Sequence, residues 1–373
     1  MTSRNIEAFP PGEYIREELE ARGWTQMDLT EILGWRPKDV NEIITGKRCI
    51  TAESASRLAD AFGTSAELWM NLESSYQLAQ TSTADTAISK RSRLYGLAPI
   101  GDMQKRGWIE RTNNADVLEA QVLQFFRISA PNEKIAFQHA ARENEGDKIA
   151  QRAWLFRARQ LAESRPVSGK FSDESIKQLW NQMKSILPNP EEVRRIPKLL
   201  SDAGIRFVIV EHLPHSKIDG ACFWLSRNEP VVVLSMRFDR IDWFWHTLIH
   251  ELMHVANGDA KDSPTLDVSL VGDDAEEFDA KSEKEKRADK GAIEFLVDQK
   301  RLSDFIMRVQ PYFSHMKILG FAARMKTHPG IIVGQLQRRK IIDYSHSRKM
   351  LVKLRHVIIP SALTDGWKQN PLK

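Results

Sequence analysis

Over the first 80 residues, apolar positions recur at the three-to-four spacing of short amphipathic helices. The sets are Ile15 and Leu19; Leu29, Ile32 and Leu33; Val40, Ile43 and Ile44; Leu58, Ala59 and Phe62; and Leu68, Trp69 and Leu72. Thr25 is placed to cap the second helix, Gly34 to stop it and Gly46 to stop the third. This predicts a compact all-helical domain over 1–80. The small, polar stretch 81–92 predicts a linker. From 93 to 200 the helical pattern returns, interrupted by the polar segment Ser164 to Ser172, and predicts a helical connector with Trp154, Phe156 and Leu161 on a packed face. At Arg206–Val210 the period changes to that of a strand. Ala221–Leu225 and Val231–Ser235 flank the turn-like Ser226–Pro230 and predict a hairpin. A long helix from Ile241 to Ala256 follows. After it come a loop acidic at Asp273, Asp274, Glu276 and Glu277, and further helices to Tyr344. The expected class is mostly α with a small β-sheet, the last domain running over 201–373.

Composition narrows this picture. The chain of 373 residues, 42% hydrophobic and 28% charged, fits a multi-domain globular protein. No apolar run nears the roughly 18 residues of a membrane span, and the N-terminus lacks a signal-like apolar core, so the expectation is a cytoplasmic protein without membrane contact. Cys49 and Cys222 lie in unrelated segments, so any metal would rest on His and carboxylate. The net charge of +4 is unevenly spread. Residues 1–80 hold 8 Lys/Arg against 13 Asp/Glu, whereas Arg338 to Arg355 holds seven basic residues and one acidic. DNA binding by the first domain would therefore need a local patch, because bulk charge opposes it.

The sharpest chemical signal is His250-Glu251-Leu252-Met253-His254. Histidines at i and i+4 project from one side of a helix and can share one tetrahedral Zn²⁺. Glu251, turned about 100° away, can take a proton from a water activated by the ion. Ile241, Phe244, Trp245, Leu248, Leu252 and Val255 form an apolar arc with His250 opposite, as on a helix whose back is in a core and whose polar face lines a cleft. The competing picture is two solvent-exposed histidines on an amphipathic helix.

A catalytic zinc needs a third protein ligand. In a helix from Lys284 to Val297, Glu285 is in phase with the buried stripe Ala288, Ala292, Phe295 and Leu296, while Glu283 and Glu294 fall opposite. Asp289 is the second candidate and Glu276 the third. His246 also precedes His250 by four, but three ligands from one helix span too many turns, so it is expected to pack beside the site. The implied reaction is metal-assisted hydrolysis with Glu251 as general base and then proton donor, and the hairpin could offer an edge strand to an extended peptide. Nothing in sequence singles out His215, His315 or His328 as an oxyanion stabiliser.

Asp219-Gly-Ala-Cys-Phe-Trp-Leu225, Val231–Ser235, His246-Thr-Leu-Ile-His-Glu-Leu-Met-His254, Glu285-Lys-Arg-Ala-Asp289 with Phe295-Leu296, and His328-Pro-Gly-Ile-Ile-Val-Gly-Gln-Leu-Gln337 resemble the ImmA/IrrE family of metallopeptidases. The likeness covers roughly 200–345. It implies an α+β zincin-like domain with His250, His254 and Glu285 as zinc ligands and Glu251 as catalytic acid/base, and a helix-turn-helix repressor as the kind of protein cleaved. Met253 departs from the family, where glycine is common.

Thr25–Gly34, Arg36–Ile44 and Gly46-Lys-Arg48 have the layout of a helix-turn-helix. Gln26 and the helix N-terminus would meet phosphate. Arg36, Lys38 and Asn41 have base-reading chemistry, and Lys47 and Arg48 suit phosphate. Pro11–Glu18, Asn41–Arg48, Ile50–Glu53 and Phe62–Trp69 resemble the HigA antitoxins, which implies an Xre-type DNA-binding fold, homodimeric on a palindromic operator. Asp39 and Glu42 on the third helix keep a role in protein contact open. Together these features predict a transcriptional regulator joined to a zinc endopeptidase acting on a repressor, antitoxin or toxin-system partner. The alternative is a non-catalytic antitoxin-type repressor whose C-terminal domain binds metal or a toxin without turnover.

Overall fold

The computed structural model describes residues 9–81, 86–133, 135, 148–261, 264–268 and 282–367. The chain divides into two compact units, Met1–Ser89 and Lys90–Lys373.

The first unit is built from α1 (Pro11–Arg22), α2 (Gln26–Leu33), α3 (Pro37–Ile44), α4 (Ala52–Phe62) and α5 (Ala66–Thr81). Its helix ends are written in the sequence. Thr25 accepts from the Asp28 N–H while Asp28 bonds back to the Thr25 N–H, a closed capping box, and Gly34 ends α2 in the left-handed conformation. Ile15, Leu29, Val40, Ile43, Leu58, Phe62 and Trp69 fill its core.

The second unit opens within α6 (Thr86–Leu97) and goes on through α7 (Ile100–Lys105), α8 (Ala115–Phe126), α9 (Lys148–Ser164), α10 (Asp173–Ile186) and α11 (Ile196–Asp202). It continues through β1 (Arg206–Val210), β2 (Ile218–Trp224), β3 (Pro230–Leu234), α12 (Ile241–Ala256), β4 (Thr265–Val268), α13 (Glu283–Leu296), α14 (Gln299–Val309), α15 (His315–Met325), α16 (Pro329–Arg338), α17 (Arg355–Ile358) and β5 (Leu363–Asp365). The mixed sheet has the order β4-β2-β3-β1-β5. β1 pairs in parallel with β3 and β5, and β2 pairs antiparallel with β3 and β4.

Both sheet faces are covered, so the strands are apolar throughout. Val208, Val210, Ala221, Phe223, Val231 and Val233 pack with Leu94, Trp154 and neighbouring residues of α6 to α9. Phe207, Ile209, Cys222, Trp224, Val232 and Leu234 pack with α10 to α17. Two expectations change here. The stretch expected as a linker is helical from Thr86, because Leu94 is buried and Lys90 is anchored by Asp116 at 2.6 Å and Glu119 at 2.9 Å. The helices of 93–200 line both faces of the sheet and form part of this unit's cores, so they are not a free-standing connector.

Candidate metal centre and nucleic-acid interface

α12 is buried on nearly every side, with Phe244, Trp245, Leu248, Leu252 and Val255 in the core as the apolar arc predicts. Its other face is no open cleft wall. His250, Glu251 and His254 are fully buried, since α13, α16 and β2 close over them.

The His250 and His254 Nε2 atoms are 3.1 Å apart. The Glu285 carboxylate, presented by the first turn of α13, lies 3.1 Å from His250 Nε2 and 3.4 Å from His254 Nε2. On the far side of each ring, His250 Nδ1 is 3.0 Å from Asp289 and His254 Nδ1 is 3.2 Å from Asp259. Ionised carboxylates only accept, so both Nδ1 atoms carry hydrogen, and in neutral rings both Nε2 atoms present lone pairs to the Glu285 oxygens. Converging acceptors of this kind suit a cation. The spacing also matches the roughly 3.3 Å between ligand atoms around tetrahedral zinc. His250, His254 and Glu285 form one group able to hold an ion.

Arginines back the outer carboxylates. Arg338 of α16 lies 3.2 Å from Asp289 and touches His246, and Arg287 lies 3.1 Å from Asp259. Burial works to raise the Asp289 carboxyl, but hydrogen bonds from His246 and His250 and the Arg338 charge outweigh it and hold the group well below the usual carboxylate range. Burial, then the Arg338 charge, push His246 down to about 3, so it is neutral. His246, His250 and Asp289 also lie close enough to share an ion. His250 would have to serve both groups, and the Arg338 charge disfavours a cation there.

Asp289, the second candidate ligand, is thus the partner of His250 Nδ1 and does not face the three ligand atoms. Glu276 lies outside the described residues, as does most of the acidic loop. Glu283 points to solvent on α13, its side chain 90% exposed against 25% for Glu285. Glu251 packs against β2. A Cβ on Gly220 would sit 2.3 Å from its Oε1, so only glycine leaves room for that carboxylate. The outer edge of β2, expected to be open to a peptide, is paired with β4. His328 caps α16, its Nδ1 accepting the Gly330 N–H at 3.0 Å. Asp259 and Arg338 went unnoticed in sequence. The turn Asn257-Gly258-Asp259 directly after the motif helix, with Gly258 at φ +67°, was the available signal for Asp259. Nothing local announced Arg338.

In the first unit α2 and α3 are joined by the tight turn after Gly34. Gln26 begins α2 and is exposed, and Arg36 is the N-cap residue of α3, its side chain 80% exposed. Asp39 bridges Arg36 at 2.9 Å and Arg48 at 2.8 Å, and Lys38 lies 3.7 Å from Glu42. Asn41 and Lys47 are exposed. The acidic side chains on α3 therefore hold its basic neighbours. Among the described residues no helix is long and apolar enough to cross a membrane.

Residues 15–69 match the Helix-turn-helix family. Virulence-associated protein I of Dichelobacter nodosus is 40% identical over 72 residues, 19% of this chain and 67% of that protein. An addiction module antidote protein of a HigA family from Coxiella burnetii is 36% identical, over 20% of this chain and 83% of its own, with a TM-score of 0.20. A Pseudomonas aeruginosa protein solved in complex with its operator DNA is 36% identical, over 22% of this chain and 88% of its own, with a TM-score of 0.21. Through its N-terminal module the chain belongs to the Helix-turn-helix family.

Proposed function

We propose that this chain is an operator-binding transcription regulator, homodimeric on its site, whose second unit is a zinc-dependent endopeptidase acting on a repressor, antitoxin or toxin-system partner. The observation that carries the peptidase half is the convergence of the His250 and His254 Nε2 atoms on the Glu285 carboxylate, with each opposite ring nitrogen tied to its own carboxylate. His250, His254 and Glu285 would hold the metal, which when bound supplies Lewis-acid polarisation of the scissile carbonyl and a more acidic water. Asp289 and Asp259 keep the imidazoles in the binding tautomer. Glu251, adjacent to His250 and seated against Gly220, takes the proton of the attacking water and returns it to the leaving amine. In the first unit, Gln26, Lys47 and Arg48 meet phosphate while Arg36, Lys38 and Asn41 face bases.

The experiment is co-expression of the full chain with the products of adjoining genes. Wild type is expected to carry one zinc and to cut one partner, and Glu251→Gln to keep the zinc without cutting. Identical partner profiles for the two forms would remove the peptidase reading. The complete burial of Glu251 favours a second reading, a metal-stabilised repressor without turnover. The same comparison separates the two.

A further inference from the structure

If the second unit is a peptidase, an extended substrate must bring its backbone within reach of Glu251. That carboxylate packs against Gly220, on a strand whose one side is occupied by β3. The free side of β2 is therefore where a peptide strand would add. The opposite edge of the sheet, β5, lies beyond β3 and β1.

That position is taken. β4 runs antiparallel along β2, with Cys222 opposite Thr265, Ala221 opposite Leu266 and Gly220 opposite Asp267. At the usual strand spacing its backbone lies about 4.8 Å from β2, at the level where Gly220 meets Glu251. The strand is short. β4 has four residues, its ladder is irregular between Ile218 and Gly220, and Thr265 Oγ1 donates to the Cys222 carbonyl at 3.3 Å. A four-residue edge strand is near the lower limit of strand length, so exchange for a competing strand is inexpensive.

We infer that β4 is an internal stand-in for substrate: it fills the strand position an extended peptide must occupy beside Glu251 until it is displaced. The inference rests on the peptidase reading and adds that turnover is governed by release of Thr265–Val268. It also predicts the preferred substrate as an unstructured segment able to pair antiparallel with Gly220–Cys222.

The test uses the full chain and a fluorescent peptide with the sequence of Pro264 to Val268. Leu266→Pro removes a ladder N–H from β4, and Thr265→Cys places a thiol opposite the buried Cys222, within the span of a cross-strand disulfide. Leu266→Pro is expected to bind the peptide about tenfold or more tightly than wild type, the factor for an edge closed about 90% of the time. Oxidised Thr265→Cys, its disulfide confirmed by mass mapping, is expected to bind none and to recover on reduction. If Leu266→Pro fails to fold, the oxidised and reduced forms of Thr265→Cys decide alone. Equal binding by the oxidised and reduced forms would overturn the inference, as would no binding by any form. Binding that follows β4, without Glu251-dependent cleavage of the peptide, would leave strand replacement standing and remove the peptidase reading instead.

Discussion

The Met253 thioether on α12 lies against Gly291 on α13, so closely that a Cβ at 291 would sit 2.9 Å from Sδ and 3.1 Å from Cγ. The small residue on α13 makes room for the thioether on α12, and the helices that present His250, His254 and Glu285 meet there. Gly291→Leu is expected to overpack this contact and cost about 1–3 kcal/mol. Met253→Gly in the same chain should recover most of the loss despite the helix penalty of about 1 kcal/mol for glycine. Urea denaturation of the two single variants and the double variant measures the coupling, and strictly additive effects would show that the residues do not share the space.

The outer carboxylates should matter to metal affinity although neither is a ligand. Asp289→Asn keeps an acceptor near His250 Nδ1 but removes the charge that fixes the tautomer. Its zinc affinity, measured by competition with a chromogenic chelator, is expected to fall about 10–100-fold. Glu285→Ala should lose more, because on the proposed reading it removes one of the three groups that would hold the ion. Glu283→Ala, two residues away and pointing to solvent, should match wild type. Equal losses at 283 and 285 would refute the assignment of Glu285 by helical phase.

How far the site could be read in advance depended on the range of the interactions. The caps at Thr25 and Gly34, the apolar arc of α12 and the phase of Glu285 are local, set by contacts within about two helical turns, and periodicity reports such contacts directly. The sheet could be read only as far as its hairpin. β1 pairs with β5, Val208 opposite Leu363, across more than 150 residues, and β4 follows the motif helix with no period of its own. Arg338 reaches Asp289 from 49 residues downstream, a separation no local period reports. The linker expectation failed on composition: Thr86 to Ser92 is polar, yet Leu94 just beyond it is buried and holds the segment as the first turns of a helix.

Acid should weaken the second unit through His328. Burial pushes this imidazole down to about 4, and its Nδ1 accepts the Gly330 N–H at the start of α16. Protonation would remove that cap and place a positive charge at a helix N-terminus. Between about 6.5, the ordinary value, and 4, the unfolded chain binds the proton and the folded one does not, so stability falls as the pH drops through this window. His328→Asn retains a capping oxygen and does not titrate. Urea denaturation at pH 7 and pH 4 should show wild type losing on the order of 2 kcal/mol more than the variant. Parallel losses would mean that His328 does not titrate in this range.

The helix-turn-helix surface makes a prediction about salt, because its unit is acidic in bulk while its basic side chains are gathered locally. Asp39 holds Arg36 and Arg48 by ion pairs, so these cations are oriented before DNA arrives. Lys47 is exposed beside Arg48, beyond the end of α3. If Lys47 and Arg48 each neutralise a phosphate, Lys47→Ala with Arg48→Ala should lower the slope of log K against log salt by about 2, since each contact contributes roughly 0.9. The loss should be the same on operator and on unrelated duplex. Asn41→Ala should instead cost about 1–3 kcal/mol on the operator and leave the slope unchanged, as expected for a side chain that reads a base edge. Titrations of the full chain on both duplexes over a range of salt separate the two behaviours. If the double variant keeps the wild-type slope, the phosphate contacts lie elsewhere, and the basic residues of the second unit become the surface to examine.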